Sequence, residues 1–131
     1  MVFDSAGNLY GTTSYGGGPA NGGTVYKVDP NGVGTILYGF SAGADGGHPN
    51  GGVVLDATGN IYGTTLSGGT ANQGVVFMLT PSGQESVLYN FSGGTDGGVP
   101  YAGVILDPIG NLFGTTYSGG ANAGVVFKVK P

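Results

Sequence analysis

A seven-residue phrase constrains this chain more than any other feature. Gly-Asn-Leu-Tyr-Gly-Thr-Thr at Gly7–Thr13 returns as Gly-Asn-Ile-Tyr-Gly-Thr-Thr at Gly59–Thr65 and as Gly-Asn-Leu-Phe-Gly-Thr-Thr at Gly110–Thr116, at offsets of 52 and 51 residues. Aligning Gly52–Pro81 with Gly103–Pro131, with one gap opposite Thr70, leaves 19 identical pairs among 30 positions. A fixed period of this length marks a repeat architecture, in which one supersecondary unit stacks on copies of itself. It also decides how 31 glycines and 7 prolines in 131 residues are to be read. Aperiodic, such a content signals low-complexity chain; recurring at matched positions, it signals tight turns between ordered elements. Helical bundles are disfavoured as well, since each glycine costs a helix about 1 kcal/mol relative to alanine.

Each period carries four short runs of β-forming residues. Run a is Gly52–Asp56 or Gly103–Asp107, with a stub at Val2–Asp4, and run b is the recurring phrase itself. Run c is Thr24–Val28, Val75–Leu79 and Val125–Val129; run d is Thr35–Phe40 and Ser86–Phe91. Several are nearly continuous in apolar residues, which implies burial on both faces, as in sheets stacked against sheets. The a–b connections open on Asp4, Asp56 and Asp107 and close on Gly-Asn, while the c–d connections are Asp29-Pro-Asn-Gly and Thr80-Pro-Ser-Gly. Asp accepts backbone N–H groups at a turn start, Pro fixes φ and Gly supplies a positive φ, so both are short hairpins. The b–c and d–a connections are longer and rich in glycine: Tyr15–Gly23, Ser67–Gly74, Ser41–Gly51 and Ser92–Ala102.

Four hairpin-linked strands in about 50 residues outline an antiparallel β-propeller blade. A long β-solenoid is the competing architecture, with shorter repeats and parallel strands. The expected fold is therefore all-β, one repeat domain over 1–131 with repeats at approximately 1–40, 52–91 and 103–131. Run a, small and glycine-flanked, is expected innermost and run d outermost. Two a–d sets and one a–b–c set make about 2.75 blades, whereas a ring takes roughly four to eight. The exposed faces of so short an arc predict closure by head-to-tail contacts between copies, as a dimer or a trimer.

The repeat resembles the Gloeobacter–Verrucomicrobium (GloVer) family of bacterial β-proteins. Its pattern, Asp-x-x-Gly-Asn-Leu-Tyr-Gly-Thr-Thr, Gly-Gly-x-x-Asn-x-Gly, Val-Phe-Lys-Leu-x-Pro-x-Gly, Leu-Tyr-x-Phe and Asp-Gly-x-x-Pro, is met here by Asp107–Thr116, Gly68–Gly74, Val76–Gly83, Leu88–Phe91 and Asp96–Pro100. The resemblance covers essentially the whole chain and implies a cell-surface or secreted bacterial protein, with no general activity attached. The chain departs from the family in showing neither leader nor anchor and in holding fewer repeats than a full ring.

Composition excludes more than it assigns. Three Lys+Arg against seven Asp+Glu, with no arginine, cannot form the basic stripe that nucleic acid requires. Without cysteine there is no disulfide, thiolate metal site or thiol nucleophile. No apolar run reaches the ~20 residues of a helical membrane span, and no charged-then-apolar leader opens the sequence. His48 stands alone, aligned with Val99, and reads as an exposed loop residue. Asp45 and Asp96 recur in the d–a loop. They are read as caps of their own loops, with calcium binding as the alternative, since each loop offers one carboxylate to an ion that takes six to eight oxygens. Asp4, Asp56 and Asp107 are turn formers, and Glu85 is the sole glutamate, with no acid at its repeat-equivalent position. The recurring Thr-Thr pairs and aromatics read as inter-blade packing. No nucleophile elbow, phosphate loop, cofactor motif or metal-ligand set is present.

The expected role is thus a self-assembling structural or interaction module with no catalytic residues, no metal and no cofactor, whose partner is itself. A carbohydrate-binding propeller is the alternative. Its ligand would lie on the rim of long loops, near Asp45, Asp96, Asn72 and Tyr101, with Asn21, Asn50 and Asn122 as further polar loop residues. A propeller-scaffold enzyme is the least favoured reading.

Overall fold

The computed structural model describes residues 1–131, all of them in strands and connecting loops. Eleven strands form three antiparallel sheets. Sheet 1 is β1 (Val2–Phe3), β2 (Leu9–Thr13), β3 (Thr24–Val28) and β4 (Gly34–Gly39). Sheet 2 is β5 (Val54–Leu55), β6 (Ile61–Thr64), β7 (Val75–Leu79) and β8 (Glu85–Asn90). Sheet 3 has three strands, β9 (Ile105–Leu106), β10 (Leu112–Thr115) and β11 (Val126–Val129). Strand order within each sheet follows the chain, so runs a, b, c and d lie side by side as neighbours. No helix is long and apolar enough to cross a membrane.

The strands are shorter than the sequence runs: run b pairs over Leu9–Thr13, Ile61–Thr64 and Leu112–Thr115, and the last run c begins at Val126. Run a shrinks to two paired residues in each repeat, because glycines flank it and the a–b turn follows at once. Run d starts and stops one residue early, and it carries an irregularity the sequence did not reveal. Val25 pairs with Tyr38 while Tyr26 pairs with Ile36, and Val76 pairs with Tyr89 while Phe77 pairs with Val87. Leu37 and Leu88 are therefore extra residues on the outer strand, a bulge that raises the local twist.

Both short turns use one device. Asp4 Oδ1 accepts the N–H groups of Ala6 and Asn8, each at 2.9 Å, and Asp29 Oδ1 accepts those of Asn31 and Val33 at the same distance. Thr80 substitutes its hydroxyl, which accepts from Gln84 N at 3.1 Å. The glycine that closes each turn has φ between 83° and 90°, the region that side-chain-bearing residues avoid.

Two cores separate the three sheets. Val25, Phe40, Val53, Ile61, Val75, Phe77 and Leu79 fill the space between sheets 1 and 2. Tyr62, Val76, Phe91, Val104, Leu112 and Val129 fill that between sheets 2 and 3. Neighbouring residues of β6 and β7 thus serve opposite cores, as strand alternation requires of a sheet covered on both faces. The continuous apolar runs are explained by the middle sheet. In the outer sheets the same pattern is half used: β4 and β11 are exposed along much of their length.

The glycine inside run b follows from packing. Gly63 lies opposite Phe77, and a Cβ there would come within 2.7 Å of the Phe77 ring; Gly11 faces Tyr26 and Gly114 faces Phe127 in the same way. An aromatic ring on run c lies over a strand position that must have no side chain.

Candidate functional site: the long-loop rim

The d–a loop joins neighbouring sheets by threading between their b–c loops. Gly47 N donates to Ser67 O at 2.8 Å and Ser67 N donates back to Gly47 O at 3.1 Å. His48 N reaches the other way, to Gly22 O at 2.6 Å, while Leu66 N donates to His48 O at 3.3 Å. The second junction repeats this. Gly98 and Ser118 exchange bonds of 3.0 and 3.1 Å, Val99 N donates to Gln73 O at 2.7 Å, and Tyr117 N donates to Val99 O at 3.1 Å. Side chains add a further tie: Thr12 Oγ1 donates to Gly51 O at 2.9 Å and Thr64 Oγ1 to Ala102 O at 2.8 Å. The first Thr of the first two Thr-Thr pairs therefore binds the loop leading into the next repeat. The second folds its own b–c loop, as Thr65 Oγ1 donates to Ser67 O at 2.9 Å.

The clasp holds its central residue in the left-handed region, with φ of 54° at His48 and 53° at Val99. For a β-branched residue such as Val99 this is costly, and hydrogen bonds to both neighbouring sheets hold it there. The His48 ring is used structurally as well. Nδ1 lies 2.9 Å from Ser14 O, and since a carbonyl only accepts, Nδ1 carries the proton. The ring packs against Tyr15 at 5.0 Å between centroids.

Asp45 and Asp96 cap their loops. Asp45 accepts from Ser41 N at 2.8 Å, from Tyr38 OH at 3.0 Å and from the Ser41 hydroxyl. Asp96 accepts from Ser92 N at 2.9 Å, from Tyr89 OH at 3.0 Å and from the Ser92 hydroxyl. The Ser92 hydroxyl, then its N–H and Tyr89, hold the Asp96 carboxyl below the usual carboxylate range. At Asp45 burial pushes upward, but Ser41 and Tyr38 together outweigh it and the net displacement is again downward. No three His, Cys, Asp or Glu side chains gather as metal ligands do.

The asparagines also serve the loops. Asn21, Asn72 and Asn122 have φ of 52°, 53° and 62°, a conformation asparagine tolerates better than most residues. Asn72 Oδ1 accepts from Gly68 N at 2.8 Å, and Asn21 Oδ1 accepts from Gly16 N at 2.7 Å. Of the four residues singled out from sequence, Asn72, Asp96 and Tyr101 lie in loops of the junction between sheets 2 and 3. Asp45 lies in the junction between sheets 1 and 2.

This geometry repeats with the sequence, and the repeat pattern is matched over residues 1–131 by the Gloeobacter/Verrucomicrobia repeat. The chain belongs to that family. Comparison with curated proteins and with solved structures gave no match.

In this Gloeobacter/Verrucomicrobia repeat protein the non-recurring residues stand out against the scaffold. Tyr117, aligned with Ser14 and Leu66, is 73% exposed and packs edge-on against Tyr101, 50% exposed, with centroids 5.3 Å apart. Sequence reasoning found Tyr101 and passed over Tyr117; the available signal was an aromatic standing where the other repeats have none. The largest cleft, about 560 Å³, lies on the opposite rim between the a–b turns of sheets 1 and 2, lined by Phe3, Asp4, Tyr10, Leu55 and Asp56 among others. Of its two carboxylates, Asp4 is the turn cap already described, and Asp56 Oδ1 caps its own turn by accepting from Thr58 N at 2.8 Å and Asn60 N at 2.9 Å. Asp56 is pushed up by burial and pulled down further by Asn60 and Thr58, to about 2.

Proposed function

We propose that this chain is a self-assembling β-propeller repeat module, a structural or interaction element of a cell-surface or secreted bacterial protein with no chemistry of its own. Each sheet is then a blade, with run a innermost and run d outermost. The edges of run a support this arrangement. A Cβ on Gly52 would lie 3.0 Å from Met1 N, and one on Gly103 would meet the Gly52 carbonyl, so these edges converge backbone to backbone where only glycine fits.

One observation carries the self-assembly. Val25, Val76 and Val126 hold the same register position on run c, opposite Thr12, Thr64 and Thr115. The first two are 0% exposed against the next sheet, whereas Val126 is 79% exposed. Around it, Ile105, Phe113, Gly114 and Thr115 line an open apolar face. On the far side of sheet 1, Ile36, paired with Tyr26 and outside the core shared with sheet 2, is exposed. Head-to-tail contact between copies buries both faces at once. Light scattering at micromolar concentration should give a dimer or trimer, and Val126→Lys should shift it to monomer. A wild-type monomer of 12.8 kDa overturns the reading.

The exposed Tyr101–Tyr117 pair favours a second reading, a carbohydrate-binding module, because sugars stack on tyrosine faces while hydrogen-bonding to polar loops. A glycan array tests it, with Tyr117→Ala as the control. Asp96→Ala is the poorer control, since it also releases Ser92 and Tyr89 from the loop cap. No glycan signal, or a signal unchanged in Tyr117→Ala, ends this reading.

A further inference from the structure

We infer that the cleft between the a–b turns of sheets 1 and 2 is a binding site for a ligand bearing a quaternary ammonium group. Asp4 and Tyr10 line its volume of about 560 Å³ from sheet 1, and Leu55, Asp56 and Thr58 line it from sheet 2. No cavity forms between the corresponding turns of sheets 2 and 3, where Pro108 and Ile109 stand in place of Ala57 and Thr58. The cleft is therefore a property of one junction and not of the repeat. It lies between two sheets of one chain and uses neither of the faces assigned to self-assembly.

What the cleft offers a ligand follows from how its carboxylates are already used. Asp4 Oδ1 accepts from Ala6 N and Asn8 N, and its Oδ2 accepts from Asn8 Nδ2 at 2.8 Å and Tyr10 OH at 3.1 Å. Asp56 Oδ1 accepts from Thr58 N, Thr58 Oγ1 and Asn60 N, and its Oδ2 from Asn60 Nδ2 at 2.8 Å and Tyr62 OH at 2.9 Å. A carboxylate has about four lone-pair sites, so both are full. Asn8 above all holds the Asp4 carboxyl below its usual range, and that of Asp56 lies at about 2, so both are charged at neutral pH. The two aspartates thus present negative charge with no lone pair to spare. A primary ammonium drawn to them would leave N–H groups unpaired or break a turn cap. A quaternary ammonium has no N–H to satisfy and gains from the charge alone. Tyr10 adds to this gain. Its hydroxyl is committed to Asp4, which leaves the ring as the surface for the methyl groups, and aromatic rings attract such cations. No lysine lines the cleft; Lys27 borders the adjoining cavity of about 310 Å³.

The test titrates the full chain, by calorimetry, with choline and with ethanolamine, which differ only in the methyl groups on nitrogen. Choline should saturate one site and bind about fivefold tighter than ethanolamine. Tyr10→Phe, the residue that Phe113 supplies in the third repeat, keeps the ring and frees a lone pair on Asp4. Choline affinity should then stay within about twofold while ethanolamine gains, so that the preference falls by about half. The double change Ala57→Pro and Thr58→Ile installs the turn of the third repeat, keeps the backbone bonds to Asp56 and should weaken choline about tenfold. A thermal melt checks that this variant is folded, and the wild-type preference for choline stands as a readout that needs no variant. Phosphatidylcholine vesicles carry the same cation. Cosedimentation with them assigns the site to a lipid head, and choline binding without it assigns the site to a free solute; both support the inference. Absence of saturable choline binding, ethanolamine binding as tight as choline, or choline binding unchanged in the folded turn variant overturns it.

Discussion

Phe77→Ala is expected to lower the unfolding free energy by about 3–5 kcal/mol, read from denaturant midpoints. The ring is 0% exposed, lies over Gly63 and meets Phe40 edge-on at 5.1 Å between centroids. Its removal leaves a void that β7 cannot close, because β7 is pinned by pairing with β6 on one side and β8 on the other. A domain of this size has a total stability of roughly 5–15 kcal/mol, so this one change removes a large share. Phe127 is the internal control: it holds the same position over Gly114 and meets Phe91 at 5.0 Å, yet it is only half-buried. Phe127→Ala should cost about half as much. Equal losses at the two positions would show that covering sheet 2 on both faces does not set the energetics.

The second large effect is on pH dependence. Glu85 Oε1 is buried with no hydrogen-bond partner. Burial first, and then the negative charge of Asp45, push its carboxyl up to about 7 from an ordinary 4.5. A carboxyl raised in the folded state leaves its stabilising contribution intact below the unfolded value. That contribution is lost as pH rises through the folded value. Stability should therefore fall between pH 4.5 and about 7 and then level off. For a half-buried side chain, solvent screening reduces the loss to about 1–2 kcal/mol. The aspartate caps act oppositely: their carboxyls are held below 3.8, so their contribution is present above that value and lost as pH falls further. The maximum should thus lie near pH 4–5. Glu85→Gln should flatten the alkaline limb and raise stability at pH 8, and an unchanged limb in thermal melts from pH 4 to 9 would refute this account.

What was legible in the sequence was what recurs. Eleven strands, their antiparallel order and both kinds of turn followed from residues repeated at matched positions, because each is dictated by local chemistry that acts identically in every copy. Three things escaped. The bulge at Leu37 and Leu88 escaped because leucine carries no signal for an unpaired strand position. The clasp escaped because nothing local would assign a positive φ to Val99; its conformation is imposed by Gln73 and Tyr117 from two different sheets. Tyr117 stands where the aligned residues are unlike it, and reading by recurrence attends least to such a position. Asn72 shows the converse, since a polar residue in a long loop looks like a ligand contact until its amide oxygen is found on Gly68 N.

The threading of the d–a loop bears on how the molecule comes apart. In a solenoid of independent units, one end can detach while the rest stays folded. Here the loop that leaves sheet 1 is hydrogen-bonded to Gly22 on one side and to Ser67 on the other, so it belongs to neither repeat alone. Peeling sheet 1 away strips the partner from the b–c loop of sheet 2, and losing sheet 3 does the same through Val99. Fraying is thereby penalised at both ends. Three weakly sufficient units behave as one cooperative body, at the cost of bringing together segments distant in sequence before any one of them is secure.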